Sequence, residues 1–391
     1  MANSYKVCFI GGARYNQPLD ATSAKKFQRL IALGEIFVIG FSRNARPRRF
    51  TEYAHFYLLP QWPWPVLRYF TMFTAGTLLA LWVILRHRVT IIVTQSPYEG
   101  FVGALVKKIA RLFGRRVALV VENHGDFEVS PFLQRKVRFP GLYRLVMNRV
   151  AGFALRLADA LRAISRPTRE QLQRWAGNKS LVTFVAWTDL EVFLQAGEEK
   201  RYNDPPMVVY TGVFIPLKGV HFLIDAFAML YREFPNVYLT LIGKEENVEY
   251  AEFLKRRVRE LELEKQVKFL SFMSQRDLAK HMAQACVLVL PSLSEGLGRV
   301  VFEAMACGTP VIGSRVDGIP EMIEDGVTGF LVPPGDVKAL AERLRWVLEH
   351  PVEAREMGQR AREFAQRFFS PEGYVRSYAK LFEIASHAVE G

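Results

Sequence analysis

Two glutamates, Glu295 and Glu303, flank a short glycine-containing segment that follows an apolar run. The hydrophobic pattern predicts a strand, then a loop containing Gly296 and Gly298, then a helix that Gly308 ends. Glycines leave backbone amides open at the N-terminus of a helix, which is a ready site for a phosphate. The two carboxylates can accept hydrogen bonds from vicinal hydroxyls, as on a ribose or a hexose. The segment therefore predicts a phosphate cradle with sugar-binding carboxylates on either side, and a solvated helix face is the alternative for Glu303.

The rest of the chain predicts the sheets that must hold this segment. Short β-branched runs alternate with longer amphipathic runs, a pattern typical of parallel α/β domains. A polar linker is predicted at Gly197–Pro206, so that each half forms one open, doubly wound sheet with ligands in the cleft between the halves. Strands are predicted near 5–10, 35–40, 90–94, 116–121, 160–164 and 181–185, and then near 207–211, 237–242, 267–270, 286–290, 310–313 and 329–332.

Composition and charge indicate two globular domains and an anionic partner. The chain has 391 residues, 50% hydrophobic and 23% charged, which excludes a disordered chain and suits two α/β domains. Residues 1–200 contain 29 lysines and arginines against 13 aspartates and glutamates, whereas residues 201–391 contain 23 against 26. The surplus in the first half indicates a phospholipid surface, a phosphorylated acceptor or nucleic acid, with a generally solubilising surface as the alternative.

Two stretches of the first half favour contact with a membrane. Tyr69–Leu85 is 17 residues without a charge, which predicts a buried crossover helix, a helix lying on a membrane or, least of all, a membrane span. The tryptophans at 62, 64 and 82 favour the membrane surface. Gln134–Arg162 predicts one or two helices with an apolar and a cationic face, which is either an ordinary surface or an adhesion site for anionic lipid. The basic residues of this second stretch are Arg135, Lys136, Arg138, Arg144, Arg149, Arg156 and Arg162.

The two glutamates belong to a longer sequence motif. Pro291–Ser314 is PSLSEGLGRVVFEAMACGTPVIGS, followed by Asp317-Gly318-Ile319-Pro320-Glu321 and, further on, by Val332-Pro-Pro-Gly-Asp336. This string closely resembles the donor domain of family 4 glycosyltransferases, with its two glutamates separated by seven residues. The match extends over roughly 205–370. It implies a GT-B fold, made of two Rossmann-like doubly wound domains facing a central cleft, a nucleoside-diphosphate sugar as co-substrate, retention of configuration, and neither a cofactor nor a metal.

The resemblance also implies roles for individual residues. Glu303 would bind the ribose hydroxyls, Glu295 would face the donor sugar, and Lys218 would neutralise the leaving diphosphate. The glycines Gly212 and Gly243 follow or end the first two strands of this half, where the donor binds. Backbone amides near the sugar and the diphosphate would come from Gly296, Leu297 and Gly298. The catalytic candidates are Lys218, Glu295 and His124.

One position departs from the family pattern. The family usually has an arginine directly after the glycine that corresponds to Gly212, and this chain has Val213. One contact to the diphosphate is therefore missing. Arg299, at the start of the helix after the loop, is predicted either to replace it or to be a surface residue.

The first half matches the family less well. Gly11 and Gly12 follow the first predicted strand, where the family has a glycine-rich loop near donor phosphate and acceptor. His124 ends a strand where the family often has a histidine, and it is predicted to bind donor sugar or acceptor, or else to be a structural loop residue. Trp187 stands where a small residue is usual, so acceptor contacts there are not carried over.

Together these features predict residues 1–200 as an acceptor-binding domain, 205–370 as a donor-binding domain, and 371–391 as a helix returning to the first domain. The predicted reaction is transfer of a hexose to a membrane-associated acceptor: a glycolipid, a lipid-linked glycan or a lipopolysaccharide intermediate. A soluble acceptor is the alternative with the same chemistry. A nucleic-acid binder would leave the donor loop unexplained, so nucleic acid is not an expected partner. We expect a cytoplasmic protein that is peripheral at an anionic membrane surface.

Overall fold

The β-branched runs form two separate parallel sheets in this computed structural model, which describes residues 5–129, 132, 139–200 and 204–390. The first compact unit contains the described residues up to Trp187 together with Ser370 onward, and the second contains Thr188–Phe369 apart from the undescribed positions. Cores of both units consist of strands that are buried on both faces, as parallel sheets covered by helices require.

The first unit is built on an eight-stranded sheet with the order β3-β4-β2-β1-β5-β6-β7-β8. All neighbouring strands in it are parallel except β3 and β4. The strands are β1 Tyr5–Tyr15, β2 Gly34–Ser42, β3 Arg48–Glu52, β4 Ala54–Leu59, β5 Ile91–Thr94, β6 Ala118–Asn123, β7 Ala160–Ala163 and β8 Leu181–Thr183.

The helices of the first unit fill the crossovers, and the last of them comes from the C-terminus. They are α1 Ala21–Leu30, α2 Pro65–Thr71, α3 Thr77–His87, α4 Glu99–Leu112, α5 Pro140–Leu157, α6 Arg166–Ala176 and α14 Pro371–Glu390. Helix α14 packs on β6 and β7, where Tyr378 and Phe382 are buried. A 3₁₀ turn, Ile31–Leu33, follows α1, and a π-helical segment, Met72–Gly76, joins α2 to α3.

The β3–β4 hairpin was not predicted from the sequence. Its edge strand β3 buries only Phe50 while Arg48 and Arg49 are exposed, so it has no alternating pattern long enough to detect. Tyr53 turns the chain between the strands with a φ of 57°, a conformation that favours glycine and that sequence rules do not expect here. Phe50 and Phe56 stack with ring centroids 4.7 Å apart, which holds the hairpin on the sheet.

The second unit has a six-stranded, all-parallel sheet with the order β11-β10-β9-β12-β13-β14. Numbered within the unit this is 3-2-1-4-5-6, the doubly wound dinucleotide-binding order. The strands are β9 Met207–Thr211, β10 Tyr238–Gly243, β11 Val267–Ser271, β12 Val287–Leu290, β13 Val311–Ser314 and β14 Gly329–Val332. The order reverses between β9 and β12, and ligands of such sheets bind beyond the carboxyl ends of the strands at that point.

The helices of the second unit begin before the predicted linker. They are α7 Glu191–Glu198, α8 Val220–Tyr231, α9 Val248–Glu260, α10 Gln275–Gln284, α11 Arg299–Ala306, α12 Val337–Glu349 and α13 Pro351–Phe368, with 3₁₀ turns at Pro216–Lys218 and Ile319–Glu321. Helix α7 packs on α10 and α11 and buries Phe193 completely. The second compact unit therefore starts at Thr188, before the predicted linker. Residues 201–203 of the predicted linker lie outside the described residues.

The predicted stretch Tyr69–Leu85 is a two-sided helical segment. Its inner face buries Met72, Ala80 and Val83 against α4 and the sheet. Five apolar residues on its other side or just before it are exposed, and we call them the exposed apolar row: Trp64, Val66, Phe70, Leu78 and Trp82. By length and composition alone, Val66–His87 could cross a membrane, but 39% of its most apolar window is buried inside the protein. The segment is thus neither a fully buried core helix nor uniformly exposed.

The predicted cationic stretch Gln134–Arg162 is only partly a surface helix. Helix α5 carries Arg144, Arg149 and Arg156 on its exposed side. The basic residues Arg135, Lys136 and Arg138 lie outside the described residues. Arg162 contradicts the prediction, because it lies in β7, is 1% exposed and pairs with Glu122 at 2.9 Å. The strand places that side chain toward α14, which the local sequence does not reveal.

Candidate active site

A pocket of about 330 Å³ opens at the point where the strand order of the second sheet reverses. We call it the switch-point pocket. Its walls come from the segments that follow β9, β10, β11 and β12, from the first turns of α10 and α11, and from Phe193 of α7. The lining residues are Phe193, Thr211, Gly212, Val213, Lys218, Ile242, Gly243, Lys244, Phe272, Met273, Gln275, Leu278, Leu290, Glu295, Gly298, Arg299, Val300 and Glu303. Sequence reasoning placed Gly212, Lys218, Gly243, Glu295, Gly298, Arg299 and Glu303 in one site, and the structure brings these seven together.

The loop between β12 and α11 is held by a carboxylate from the next crossover. Asp317 Oδ2 accepts hydrogen bonds from the Glu295 backbone N–H and from Ser294 Oγ, both at 2.7 Å. Gly298 enters α11 with a φ of 69°, and a Cβ there would lie 3.1 Å from Glu295 Cγ. A larger residue at 298 would therefore strain the backbone and crowd the Glu295 side chain. The loop presents Glu295 to the pocket in a fixed position.

Lys218 reaches Glu295 because two backbone segments approach each other closely. The Leu293 N–H donates to the Leu217 carbonyl at 2.8 Å. Gly219 has a φ of 61°, and a Cβ there would lie 2.2 Å from the Pro291 carbonyl oxygen. With this contact in place, Lys218 Nζ donates to Glu295 Oε2, and both side chains are mostly buried. An ammonium and a carboxylate are thus paired at the pocket wall, where an anionic ligand can compete for the ammonium.

Glu303 lies on α11, inside the pocket and beyond the loop. Burial raises the pKa of Glu303 above its ordinary value, and the positive charge of Arg299 opposes this shift. Arg299 is exposed at the first position of the helix. A carboxylate this poorly solvated gains from hydroxyl donors, because a buried acceptor without partners is costly.

The glycines at the ends of β9 and β10 allow those two strand ends to touch. A Cβ on Gly243 would lie 1.8 Å from the Gly212 carbonyl oxygen, and a Cβ on Gly212 would lie 2.7 Å from the Tyr210 hydroxyl. The Gly212 N–H donates to the Ile242 carbonyl at 3.0 Å. Close approach of the backbone therefore requires the glycine at 243, whereas a side chain at 212 would meet the ring of Tyr210.

Lys244 is a pocket residue that sequence reasoning missed. It follows Gly243 directly, and its carbonyl accepts from the Phe214 N–H at 2.9 Å. Its side chain is 62% exposed and lies 3.6 Å from Glu246. Val213, which stands in place of the family's usual arginine, lines the same pocket. Only the sheet topology, which brings the ends of β9 and β10 together, reveals Lys244 as a second cation near Val213.

Gly296 and Leu297 belong to the same loop but are not among the lining residues of the pocket. Leu297 is buried and Gly296 is partly exposed. Within the described residues, no group of three or more histidine, cysteine, aspartate or glutamate side chains could hold a metal ion.

Gly11, Gly12 and His124 lie in the first unit. Both glycines are inside β1, not after it as predicted, at the place where its register with β2 shifts between Ile10 and Arg14. A Cβ on Gly11 would overlap the Gln95 side chain, with 2.0 Å to Oε1, whereas Gly12 is exposed. The bulge continues the strand past the glycines, which explains the difference from the prediction.

His124 follows β6 and is oriented by a buried ion network. Its Nε2 lies 2.7 Å from Glu122 Oε2, and its side chain is 36% exposed. Glu122 Oε1 accepts from Arg162 Nη1 at 2.9 Å and from the Tyr378 hydroxyl at 2.6 Å. Burial raises the pKa of Glu122, but Arg162 and His124 outweigh it, and the pKa stays well below its usual range. Glu122 is therefore an ionised acceptor that fixes the ring of His124, and sequence reasoning did not identify it. Trp187 is buried against Tyr374, with ring centroids 5.3 Å apart.

The fold defines the structural class: two Rossmann-like sheets, each in its own unit, are the GT-B arrangement, as predicted. Two family models match, Glycosyltransferase Family 4 over residues 28–185 and Glycosyl transferases group 1 over residues 194–364. The chain belongs to the family 4 glycosyltransferases. It is therefore a retaining hexosyltransferase that takes its sugar from a nucleotide sugar.

Curated relatives and solved structures agree with this assignment. The chain is 30% identical over 283 residues to N-acetyl-alpha-D-glucosaminyl L-malate synthase of Bacillus anthracis, covering 70% of this chain and 69% of that protein. It is 32% identical over 277 residues to the GDP-mannose-dependent alpha-(1-6)-phosphatidylinositol monomannoside mannosyltransferase of Mycolicibacterium smegmatis, covering 67% and 69%. Sucrose-phosphate synthase of Thermosynechococcus elongatus shares the fold, with a TM-score of 0.78, 23% identity and coverage of 97% and 98%.

Proposed function

We propose that this enzyme transfers a hexose from a nucleoside-diphosphate sugar to a lipid-linked acceptor at the cytoplasmic face of a membrane. The second unit binds the donor and the first unit binds the acceptor. The observation that carries the choice of acceptor is the exposed apolar row of the first unit. Relatives do not decide it, since one is named for a phosphatidylinositol mannoside and another for malate.

The switch-point pocket supports the donor half of this proposal. Glu303 accepts hydrogen bonds from the ribose hydroxyls, and Glu295 accepts from hydroxyls of the donor sugar. Lys218 exchanges its partner Glu295 for the diphosphate, and Lys244 supplies the second positive charge that Val213 does not. The open amides around Gly298, at the N-terminus of α11, face the diphosphate.

The reaction that fits these groups needs no carboxylate nucleophile. The bond between the anomeric carbon and the diphosphate oxygen breaks, and positive charge develops on the sugar. The acceptor hydroxyl attacks the anomeric carbon from the face that the diphosphate leaves. Its proton passes to the leaving diphosphate oxygen, while Lys218 and Lys244 stabilise the negative charge that accumulates there. Glu295 is thus a sugar-binding group and not the base.

The exposed apolar row supports a membrane acceptor. Phe70 is 62% exposed and Leu78 is 71% exposed, although both lie in the helical segment whose other face packs in the core. The π-helical turn at Met72–Gly76 has more residues per turn than an α-helix, which keeps residues at four-residue spacing on one side across the junction. Trp64 and Trp82 stand at the two ends of the row, and Arg86 and Arg88 follow Trp82. Such groups sit well at a headgroup boundary.

A pair of matched variants tests the choice of acceptor. F70S/L78S removes two exposed apolar residues of the row, and V248S/V352S removes two that are 66% and 60% exposed in the second unit. We expect F70S/L78S to weaken vesicle binding about tenfold and to lower the ratio of transfer onto a vesicle-borne acceptor to donor hydrolysis, and V248S/V352S to change neither. Equal behaviour of the two variants would exclude a membrane acceptor bound through this row.

The donor half is tested separately by a thermal-shift screen with UDP-, GDP- and ADP-sugars. We expect one of them to raise the melting temperature of the wild-type enzyme and to lose this effect in Glu303→Ala. If none of the nucleotide sugars stabilises the protein, the assignment of the switch-point pocket as the donor site is wrong.

A further inference from the structure

A second concave site lies in the first unit, along the outer side of α5. It is a groove of about 480 Å³ between α5 and the end of α6. We call it the arginine groove, and its principal lining residues are Arg144, Leu145, Asn148, Arg149, Arg156 and Trp175. None of these residues belongs to the switch-point pocket.

The sequence of α5 builds the groove along one helical face. Leu145, Arg149, Gly152 and Arg156 follow each other at steps of four, three and four residues, so they form one stripe. A Cβ on Gly152 would lie 3.5 Å from the ring of Trp175 and 3.8 Å from Arg156 Nη2. These are ordinary van der Waals distances, so the indole of Trp175 packs beside α5 at Gly152, with the Arg156 guanidinium near it.

Within the part of the chain that the structure describes, no ion pair compensates the charge of the groove. Helix α5 contains no aspartate or glutamate, and among the described residues neither Arg149 nor Arg156 takes part in an ion pair. Arg144 lies over the ring of Phe132, 5.0 Å from its centroid, which orients its guanidinium without neutralising it. Guanidinium groups bind phosphate through two parallel hydrogen bonds, so three of them beside Asn148 suit a phosphate ester.

Exposed apolar residues lie beside the groove on one part of α5. Leu142 is 62% exposed, Leu145 is 53% exposed and Val146 is 49% exposed, all on the N-terminal half of the same helix. A soluble phosphorylated metabolite would leave these side chains in water. A lipid would cover them with its acyl chains while its phosphate lies among the arginines.

We propose that the arginine groove binds the phosphate of an anionic membrane lipid and thereby anchors the first unit to the bilayer. The inference deepens the proposed function and rests on it, because it names the lipid chemistry that holds the enzyme at its acceptor. A built site of this kind differs from diffuse attraction to a negative surface, since its arginines are not interchangeable with others of the same unit.

The experiment compares two charge-matched double variants on phosphatidylcholine vesicles with and without phosphatidylglycerol. R149A/R156A removes two arginines of the groove. R111A/R169A removes two exposed arginines of the same unit that do not line it. From the usual contribution of a basic group near an anionic surface, we expect R149A/R156A to weaken binding to the anionic vesicles about 30-fold. We expect R111A/R169A to weaken it less than about threefold, because these two arginines lie outside the groove and add only a diffuse attraction that salt screens.

A lysine variant and two competing ligands distinguish a lipid-phosphate site from diffuse charge, free phosphate and RNA. R149K/R156K keeps the charge but loses the two-pronged geometry, and it is expected to bind between wild type and R149A/R156A. Equal losses of vesicle binding in R149A/R156A and R111A/R169A would overturn the proposed lipid-phosphate site in the groove. The proposal of a membrane acceptor would still stand. Displacement of the wild type from vesicles by millimolar inorganic phosphate, or RNA binding that requires Arg149 and Arg156, would also overturn it. A wild type that binds no vesicle would overturn the proposed function itself.

Discussion

Replacing Lys244 with alanine removes one positive charge from the switch-point pocket while leaving the backbone that forms it. The hydrogen bond from the Phe214 N–H goes to the Lys244 carbonyl, which alanine retains. The side chain is 62% exposed, and its pair with Glu246 at 3.6 Å is a surface pair worth little. Loss of activity in Lys244→Ala would therefore report the charge and not the fold.

The size of the effect follows from exposure. Two unit charges 4 Å apart interact by about 4 kcal/mol at the effective dielectric of a partly buried site and by about 1 kcal/mol in water. Lys218 is 17% exposed, so its loss should resemble that of a buried oxyanion donor, about 10²- to 10³-fold in kcat. Lys244 is closer to the aqueous limit, and about 1 kcal/mol corresponds to a roughly fivefold loss.

The assay measures kcat and KM for the preferred nucleotide sugar in Lys218→Ala, Lys244→Ala and Arg299→Ala. A charge used on the leaving group lowers kcat and kcat/KM together, whereas a charge used only for ground-state binding raises KM alone. Val213→Arg supplies the cation that the family usually has at this position, and the pocket wall there is partly exposed. We expect Val213→Arg to restore most of the kcat that Lys244→Ala loses.

One pattern of results would refute this reasoning. If Lys244→Ala has the kcat of the wild type while Arg299→Ala falls about fivefold, then Arg299 is the second cation and Lys244 is a surface residue. The positive charge of Arg299 argues against that outcome, because it opposes the rise in the pKa of Glu303 and so acts on the carboxylate of its own helix.

Two further predictions concern the half-buried Glu303 and the buried Glu122. Because burial raises the pKa of Glu303, its ionised form is penalised in the folded protein and stability falls as pH rises through that pKa. Glu303→Gln should therefore raise the melting temperature of the ligand-free enzyme more at pH 8 than at pH 5, which thermal shift measures. It should also weaken nucleotide-sugar binding, which calorimetry measures. A variant that binds the nucleotide sugar like the wild type would contradict the ribose role of Glu303. Glu122 has a lowered pKa, so its stabilisation is present above its unfolded value and is lost as pH falls through the folded one. Glu122→Gln should lower the free energy of unfolding by about 3–5 kcal/mol at pH 7, because Arg162 stays buried without its partner. Glu170→Gln, which breaks an exposed pair, should lower it by less than about 1 kcal/mol. Equal urea denaturation midpoints for the two variants would contradict the stabilising role of the Glu122 network.

The switch-point pocket was largely predictable because its chemistry is contiguous in the sequence. The loop and helix around Glu295 and Glu303 occupy a single strand–loop–helix unit, in which glycines mark the turns and the carboxylates keep a fixed spacing. Helix α11 ends where Gly308 predicted, with a φ of 70° at that glycine. Local rules suffice when the ligand groups and the backbone that holds them are neighbours in the chain.

Residues whose role depends on a distant element were not predictable. Lys244 was missed because it enters the pocket only through the pairing of β10 with β9. The β3–β4 hairpin was missed because its edge strand buries one side chain, Phe50. The position of Gly11 and Gly12 inside β1 depends on a register shift against β2, which no pattern within β1 encodes.

Arg162 and the arginines of α5 show what decides whether an arginine has a structural or a ligand-binding role. All occur within one basic stretch with the same apolar spacing. Arg162 is enclosed by Glu122 and by Tyr378, which is more than 200 residues away, and so it organises the first unit and orients His124. Arg149 and Arg156 meet no such partner among the described residues, and so they remain available to a ligand. A buried arginine without a carboxylate would cost several kcal/mol, whereas an exposed one costs almost nothing until a phosphate arrives. An arginine therefore has a structural role where a carboxylate of the protein pairs with it. Where no such carboxylate is present, the arginine can bind the anion of a ligand.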